Sequence, residues 1–148
     1  MAPVHRLATT DDAAALFDLR RRSILELAAP GVPAGEAEAW VEKHTLARME
    51  RKLREFEIWV AELGGALAGW GAIGDDYLEG LYTAPEFVGR GVGGSILTRL
   101  EGLLRDRGIK AVRADASSNA RDFYLRRGYR LSGPRTAIGA WPITKQLQ

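Results

Sequence analysis

The spacing of apolar positions changes several times along the chain, and each change marks an element. Val4 to Leu7 predicts a short first strand. Thr9-Thr10-Asp11-Asp12 then offers capping side chains, and Leu16, Leu19, Ile24 and Leu27 recur at helical spacing. Pro30-Gly31-Val32-Pro33 breaks that helix. A second helical stretch, about Gly35 to Arg54, carries Trp40, Leu46, Met49 and Leu53, with a kink near His44. From Glu57 the period falls to two. Glu57 to Leu63 and Ala66 to Ile73 form a predicted hairpin around Gly64-Gly65, and Tyr77 to Thr83 follows Gly74-Asp75-Asp76 as a third strand. Ser95 to Arg107 is the clearest helix, with Ile96, Leu97, Leu100, Leu103 and Leu104 on one stripe and Gly108 as its C-terminal cap. Ile109 to Ala114 predicts a strand and Ser118 to Arg127 a short helix closed by Gly128. Tyr129 to Leu131 and Ile138 to Leu147 predict two last strands. The order predicts one α+β domain over residues 1–148, with a mixed, mostly antiparallel sheet of six to seven strands flanked by about four helices.

Composition narrows the chemistry. The chain has no cysteine, which excludes disulfides, thiolate metal sites and a cysteine acyl-enzyme. His5 and His44 are the only histidines, too few for a metal site, so no metal is expected. Net charge is +2, and Arg20-Arg21-Arg22 is the one tight basic run, on a helix whose outer face it suits. No nucleic-acid partner is expected from such a pattern. Met1 to Ala15 lacks the apolar segment of a signal peptide, and no stretch approaches the ~20 apolar residues of a membrane span. Neither a membrane partner nor export is expected, and cytoplasmic residence follows.

One motif stands out between the third meander strand and the strongest helix: Gly89-Arg90-Gly91-Val92-Gly93-Gly94. Glycines there allow positive φ and close backbone approach to a ligand. The first amides of the following helix lack partners and, with the helix dipole, favour a phosphate. A ligand-free glycine turn is the plain alternative. Gly89, Gly91 and Gly94 also satisfy the spacing of a dinucleotide fingerprint, with Asp115 ending the next strand. Against that reading, Pro85 separates strand from glycines, a meander precedes the unit, and too little chain follows for a second half-sheet. A nucleotide-binding loop of the P-loop type lacks its Lys-Ser/Thr pair.

Leu81-Tyr82-Thr83-Ala84-Pro85-Glu86-Phe87-Val88-Gly89-Arg90-Gly91-Val92-Gly93-Gly94-Ser95 resembles the signature of the GNAT superfamily of N-acetyltransferases, Arg/Gln-x-x-Gly-x-Gly/Ala after a strand and a proline turn. Ala120-Arg121-Asp122-Phe123-Tyr124-Leu125-Arg126-Arg127-Gly128-Tyr129 resembles that superfamily's Ala-x-x-Phe-Tyr-x-x-x-Gly-Phe segment. The resemblance covers nearly the whole chain, most specifically Tyr77 to Leu131. Two positions depart from the pattern: Val88 stands where relatives usually carry Arg or Gln, and Ser117 where many carry Asn, with Asn119 nearby as a substitute.

The resemblance implies an acetyl-CoA (or other acyl-CoA) co-substrate and direct transfer to a small-molecule or peptide amine. It assigns cofactor contacts to Leu81, Tyr82 and Thr83, to Val88 through Ser95 (Val88, Gly89, Arg90, Gly91, Val92, Gly93, Gly94, Ser95), and to Ser117, Asn119 and Tyr124. Tyr124 matches the tyrosine that protonates the departing thiolate. Splaying of the strand Tyr77 to Thr83 from Ile109 to Ala114 would free backbone groups for the pantetheine arm. Period-two alternation puts Glu79 on one face with Tyr77, Leu81 and Thr83. Glu79 is a candidate base, a site for a cationic acceptor, or an ion-pair partner of an arginine. Trp40, Tyr77 and Glu79 are candidate acceptor contacts; core packing is the plainer account of Trp40, and a solvated position that of His44. A homodimer is compatible with the resemblance, and a non-catalytic acyl-CoA sensor is the rival function.

Overall fold

The computed structural model describes residues 2–27, 33 and 35–148. Strand β1 (Val4–Leu7) leads through a turn of 3-10 helix at Thr10–Asp12 into helix α1 (Ala13–Glu26). Helices α2 (Glu36–Glu42) and α3 (Leu46–Glu55) precede the meander β2 (Glu57–Leu63), β3 (Ala66–Gly74) and β4 (Tyr77–Thr83). A 3-10 turn at Pro85–Phe87 joins β4 to helix α4 (Val92–Asp106), followed by β5 (Ala111–Ala116), α5 (Arg121–Leu125), β6 (Arg130–Leu131) and β7 (Trp141–Gln146). The predicted breaker at Pro30 to Val32 lies outside the described residues. Among the described residues no helix is long and apolar enough to cross a membrane.

The seven strands of the described residues form one sheet in the order β1-β2-β3-β4-β5-β7-β6, mixed as predicted. Among the described residues only β4 and β5 run parallel. Among the described residues the α-helices number five, because the stretch from Gly35 to Arg54 is two helices rather than one kinked rod. Thr45 adopts an extended backbone and its hydroxyl accepts the Arg48 amide at 3.1 Å, which starts α3 afresh. The Gly64-Gly65 turn has φ of 61° and 83°, the double positive conformation that matches hairpin twist.

Each face of the sheet buries its own core. On one side α4 inserts Val92, Ile96, Leu97, Leu100 and Leu104 against Leu78, Val112, Ala114 and Ile143. Gly69 and Gly71 of β3 permit that approach. A Cβ on Gly71 would lie 2.8 Å from Leu100 and 2.9 Å from Ile96. On the other side α1 and α3 pack Leu16, Leu19 and Met49 over Ile58, Val60 and Trp70. Trp70 is fully buried, and its indole N–H donates to the carbonyl of Leu16 at 3.1 Å. Burying such a ring contributes roughly 3 kcal/mol, and the hydrogen bond keeps its one polar atom satisfied.

The sheet is interrupted at its centre. β4 pairs with β5 only at Tyr77↔Arg113 and Leu78↔Ala114, although β4 runs on to Thr83 and β5 to Ala116. The register between β3 and β4 slips at the same level, from Ile73↔Leu78 to Ala72↔Gly80, leaving Glu79 as the extra residue of a bulge. A bulge bends its strand, so β4 leaves β5 just where their pairing stops. The result is a wedge-shaped opening in the middle of the sheet.

Candidate active site

The bulge overturns the predicted alternation along β4. Leu81 packs into the α4 core, whereas Tyr82 packs on the opposite face against Trp70, ring centroids 4.8 Å apart. Glu79 reaches toward α3, where the Lys52 ammonium donates to its Oε1. Glu79 therefore shares its face with Tyr82 and not with Leu81 and Thr83. The extra residue reverses the period of two. Its ion-pair partner is a lysine rather than the arginine considered from sequence.

Two connected cavities open from the wedge. The smaller, about 90 Å³, lies between β4 and β5 and is lined by Trp40, Glu79, Tyr82, Asp115, Ser117 and Tyr124 among others. The larger, about 470 Å³, runs beside the glycine loop and takes in Thr83, Val88, Gly89, Gly91, Val92, Gly93 and Gly94. Ser23, Leu81, Asn119, Ala120 and Tyr124 border both, so the two form one continuous cleft.

The glycine loop turns its backbone toward the larger cavity. Gly89 and Gly91 have φ of 81° and 77°, and a Cβ on either would meet no atom within 4 Å. Only the left-handed conformation, and not crowding, requires glycine there. Helix α4 begins at Val92, earlier than the predicted Ser95, and its first internal hydrogen bond is Ser95 N–H to Gly91 O at 2.9 Å. The amides of Val92, Gly93 and Gly94 thus open the helix, and no side chain caps it. Arg126 and Arg127 line the same cavity, and among the described residues no acidic side chain does. Arg127 is held over the Phe123 ring at 3.7 Å and donates to the Phe123 carbonyl at 3.0 Å. Free amides, a helix start and two guanidiniums give this cavity a lining suited to negative charge.

Tyr124 sits at the junction. It is 5% exposed, with the Phe123 and Tyr129 rings packed edge-on at 5.2 and 5.3 Å. Among the described residues its hydroxyl makes no hydrogen bond. Burial, and secondarily the nearby phenols of Tyr82 and Tyr77, push its pKa well above the usual tyrosine value, so it stays protonated.

Other sequence-predicted residues fall elsewhere. Arg90 does not line the cleft; its guanidinium lies 5.9 Å from the Phe87 ring. Ser95 points across the helix, its hydroxyl 2.8 Å from His5 Nε2 on β1. Tyr77 lies at the closed end of the wedge, where its hydroxyl donates to Asp115 Oδ2 at 2.7 Å. Val92 contributes backbone only, since its side chain is 1% exposed in the core. His44 is buried at 5% exposure and stacks on Phe17, centroids 6.2 Å apart, instead of facing solvent. Sequence reasoning missed Ser23, Phe123, Arg126 and Arg127 as walls and Lys52 as the partner of Glu79. Phe123, Arg126 and Arg127 do fall within the quoted Ala120-to-Tyr129 segment.

A family model described as acetyltransferase (GNAT) domain matches residues 26–140. Among solved structures, the chain is similar to a GCN5-related N-acetyltransferase from Rhodopseudomonas palustris, with 28% identity and a TM-score of 0.89 over 99% of this chain and 96% of that one. It is also similar to PaiA N-acetyltransferase from Thermoplasma acidophilum in complex with coenzyme A, with 20% identity and a TM-score of 0.81 over 99% of each chain. YncA from Salmonella typhimurium, solved with its cofactor acetyl-CoA, shares 22% identity and a TM-score of 0.67 over 100% of this chain and 95% of that one. The last two likenesses concern the fold alone. No curated protein gives a significant match.

Proposed function

Because the chain belongs to the GNAT acetyltransferase family, matched over residues 26–140, we propose that it transfers an acetyl group from acetyl-CoA directly to an amine. The observation that carries this reading is the uncapped start of α4, opening onto a cleft that leads to Tyr124 and the β4–β5 wedge. In this reading the diphosphate of the co-substrate binds the Gly91–Gly94 amides, with Arg126 and Arg127 nearby to offset its charge. The pantetheine arm lies along the edge of β4 that β5 leaves unpaired beyond Leu78. Thr83, Val88, Gly89, Ser117 and Asn119 form walls along that path.

The chemistry follows from what the residues can do. The acceptor amine loses a proton and its nitrogen attacks the thioester carbonyl carbon, so that a C–N bond forms and the C–S bond breaks. In this reading backbone N–H groups of the open β4 edge stabilise charge on the carbonyl oxygen. The departing thiolate takes the phenolic proton of Tyr124, which burial keeps in place until the sulfur becomes basic. Glu79, ion-paired with Lys52, is acceptor-side and can draw the amine proton through water. Tyr124 regains its proton from the pool that the amine releases, so the sum is amine plus thioester to amide plus thiol. No cysteine is available for a covalent acyl-enzyme.

Thiol release from acetyl-CoA across a panel of amines tests the proposal. Amine-dependent release that falls at least tenfold in Tyr124→Phe, with unchanged CoA affinity, is the expected result. Saturable CoA binding without release for any amine would assign a sensing role instead.

A further inference from the structure

Three basic side chains are buried beneath the smaller cavity: Arg20 of α1, 6% exposed, His44 at 5% and Lys52 of α3 at 7%. Lys52 is matched by Glu79. Arg20 is not matched. Its Nε donates to the Tyr82 hydroxyl at 3.2 Å and its Nη2 to the Trp40 carbonyl at 3.4 Å, both neutral acceptors. Among the described residues no carboxylate forms an ion pair with it. Asp18, on the same helix, is engaged by Arg21 and Arg22. A buried guanidinium ordinarily holds an anion, because desolvation costs several kcal/mol that neutral acceptors only partly return. The local field agrees. Burial first, then Arg20, Lys52 and Arg48, hold His44 neutral with a pKa of about 3, and among the described residues its Nε2 finds no partner.

Both neutral acceptors of Arg20 belong to the cavity wall. Tyr82 and Trp40 line the small cavity, as do Ser23 and Ile24, one turn after Arg20 on the same helix. Since the Tyr82 oxygen accepts from Arg20, its own proton is free to be donated. Four ionic groups therefore surround the acceptor space: Glu79 and Asp115 in its wall, Lys52 and Arg20 one contact behind. They sum to zero. Arg20 and Lys52 are buried and Glu79 half-buried, whereas Asp115 is exposed and bonded by Tyr77. A diamine would leave the set with uncompensated positive charge, whereas an acceptor carrying one ammonium and one carboxylate keeps the balance.

We propose that the acceptor is a small amine that also bears a carboxylate, such as a free amino acid, and that Arg20 together with the Tyr82 hydroxyl recognises that carboxylate. This rests on the acyl-transfer reading and names its substrate class. Tyr124 then stands at the amine end of the acceptor and Arg20 at the acid end.

The test pairs proteinogenic amino acids with their carboxamides, and adds diamines of matching length. Binding to the CoA-saturated protein is measured by calorimetry, and kcat/KM with acetyl-CoA in parallel. At least one acid should be preferred over its amide by about a hundredfold in both measurements. Arg20→Met should cut that ratio to within threefold, Arg20→Lys should retain part of it, and Tyr82→Phe should lower it without abolishing it. Circular dichroism and CoA binding report whether each variant is folded; should Arg20→Met not fold, the parent ratio and Tyr82→Phe decide. Amides or diamines used as well as acids would overturn the carboxylate site while leaving acyl transfer standing. So would an absence of any acid-over-amide preference in binding. Acid-selective binding without turnover would have the opposite meaning: the carboxylate site holds and the acyl-transfer reading fails.

Discussion

Replacing Gly91 by alanine isolates the backbone that presents the helix amides. Gly91 is the residue before α4, with φ of 77°, and its added methyl would meet nothing within 4 Å. The substitution therefore adds no clash, only the strain of a left-handed L-residue, roughly 1–2 kcal/mol. Reduced freedom of the unfolded chain returns about 0.4–1 kcal/mol, leaving a net loss near 1 kcal/mol. For a chain of this size that is a fall in Tm of about 3 °C. Gly102, in the interior of the same helix with equally open surroundings, is the control. Gly102→Ala should raise stability by roughly 0.5–1 kcal/mol, because helical propensity improves with no positive φ to oppose it. Coenzyme affinity should separate the pair further. Gly91→Ala weakens CoA binding at least tenfold, as relaxing φ rotates the amides away, and Gly102→Ala leaves it unchanged. Thermal unfolding and CoA titration of both variants provide the measurements. A Gly91→Ala protein with parental Tm and parental CoA affinity would refute the claim that this left-handed turn builds the binding loop.

Other consequences are equally direct. Tyr124→Phe should lower kcat at least tenfold with little change in CoA affinity, and the parent should show no alkaline loss of activity attributable to this phenol below pH 10, since burial raises its pKa above the ordinary value of about 10. A kcat–pH profile of parent and variant checks both. His44 has a folded pKa of about 3 against 6.5 when unfolded, so its neutral form is the folded one. Its contribution is complete above pH 6.5 and is lost as pH falls toward 3, with a slope of up to about 1.4 kcal/mol per pH unit. His44→Phe should flatten the denaturation-midpoint profile of the parent in that window. Glu79→Gln strands the buried Lys52 and should cost roughly 3 kcal/mol in urea unfolding, whereas Glu79→Gln with Lys52→Met should recover most of it.

The bounds of the meander strands were legible: β2 and β4 begin and end where the apolar pattern places them, although each meander pairing carries a bulge that the pattern did not show. The stripe of α4 and the glycines of its loop were legible for the same reason, since both are local. What escaped the sequence depends on registry or on partners far along the chain. The bulge at Glu79 is marked locally by nothing stronger than Gly80 beside it, yet it reverses the facing of every residue after it. Ser95 is a cofactor contact by the resemblance until folding brings His5, 90 positions away, against its hydroxyl. His44 has the polarity of a surface residue and is buried with its ring stacked on Phe17 of α1. Arg20 sits in a run of three arginines, of which Arg21 and Arg22 bond Asp18 while Arg20 turns inward to Tyr82. The break before α3 was partly readable, because Thr45 followed by a helical run is an N-cap pattern.

Equilibrium dialysis of the folded protein against coenzyme A tests the central claim most directly. Saturable binding at one molecule per chain, weakened by Gly91→Ala and by removing Arg126 and Arg127, with no retention of NAD under the same conditions, is the predicted result. Protein with native circular dichroism that retains no coenzyme A would contradict the account.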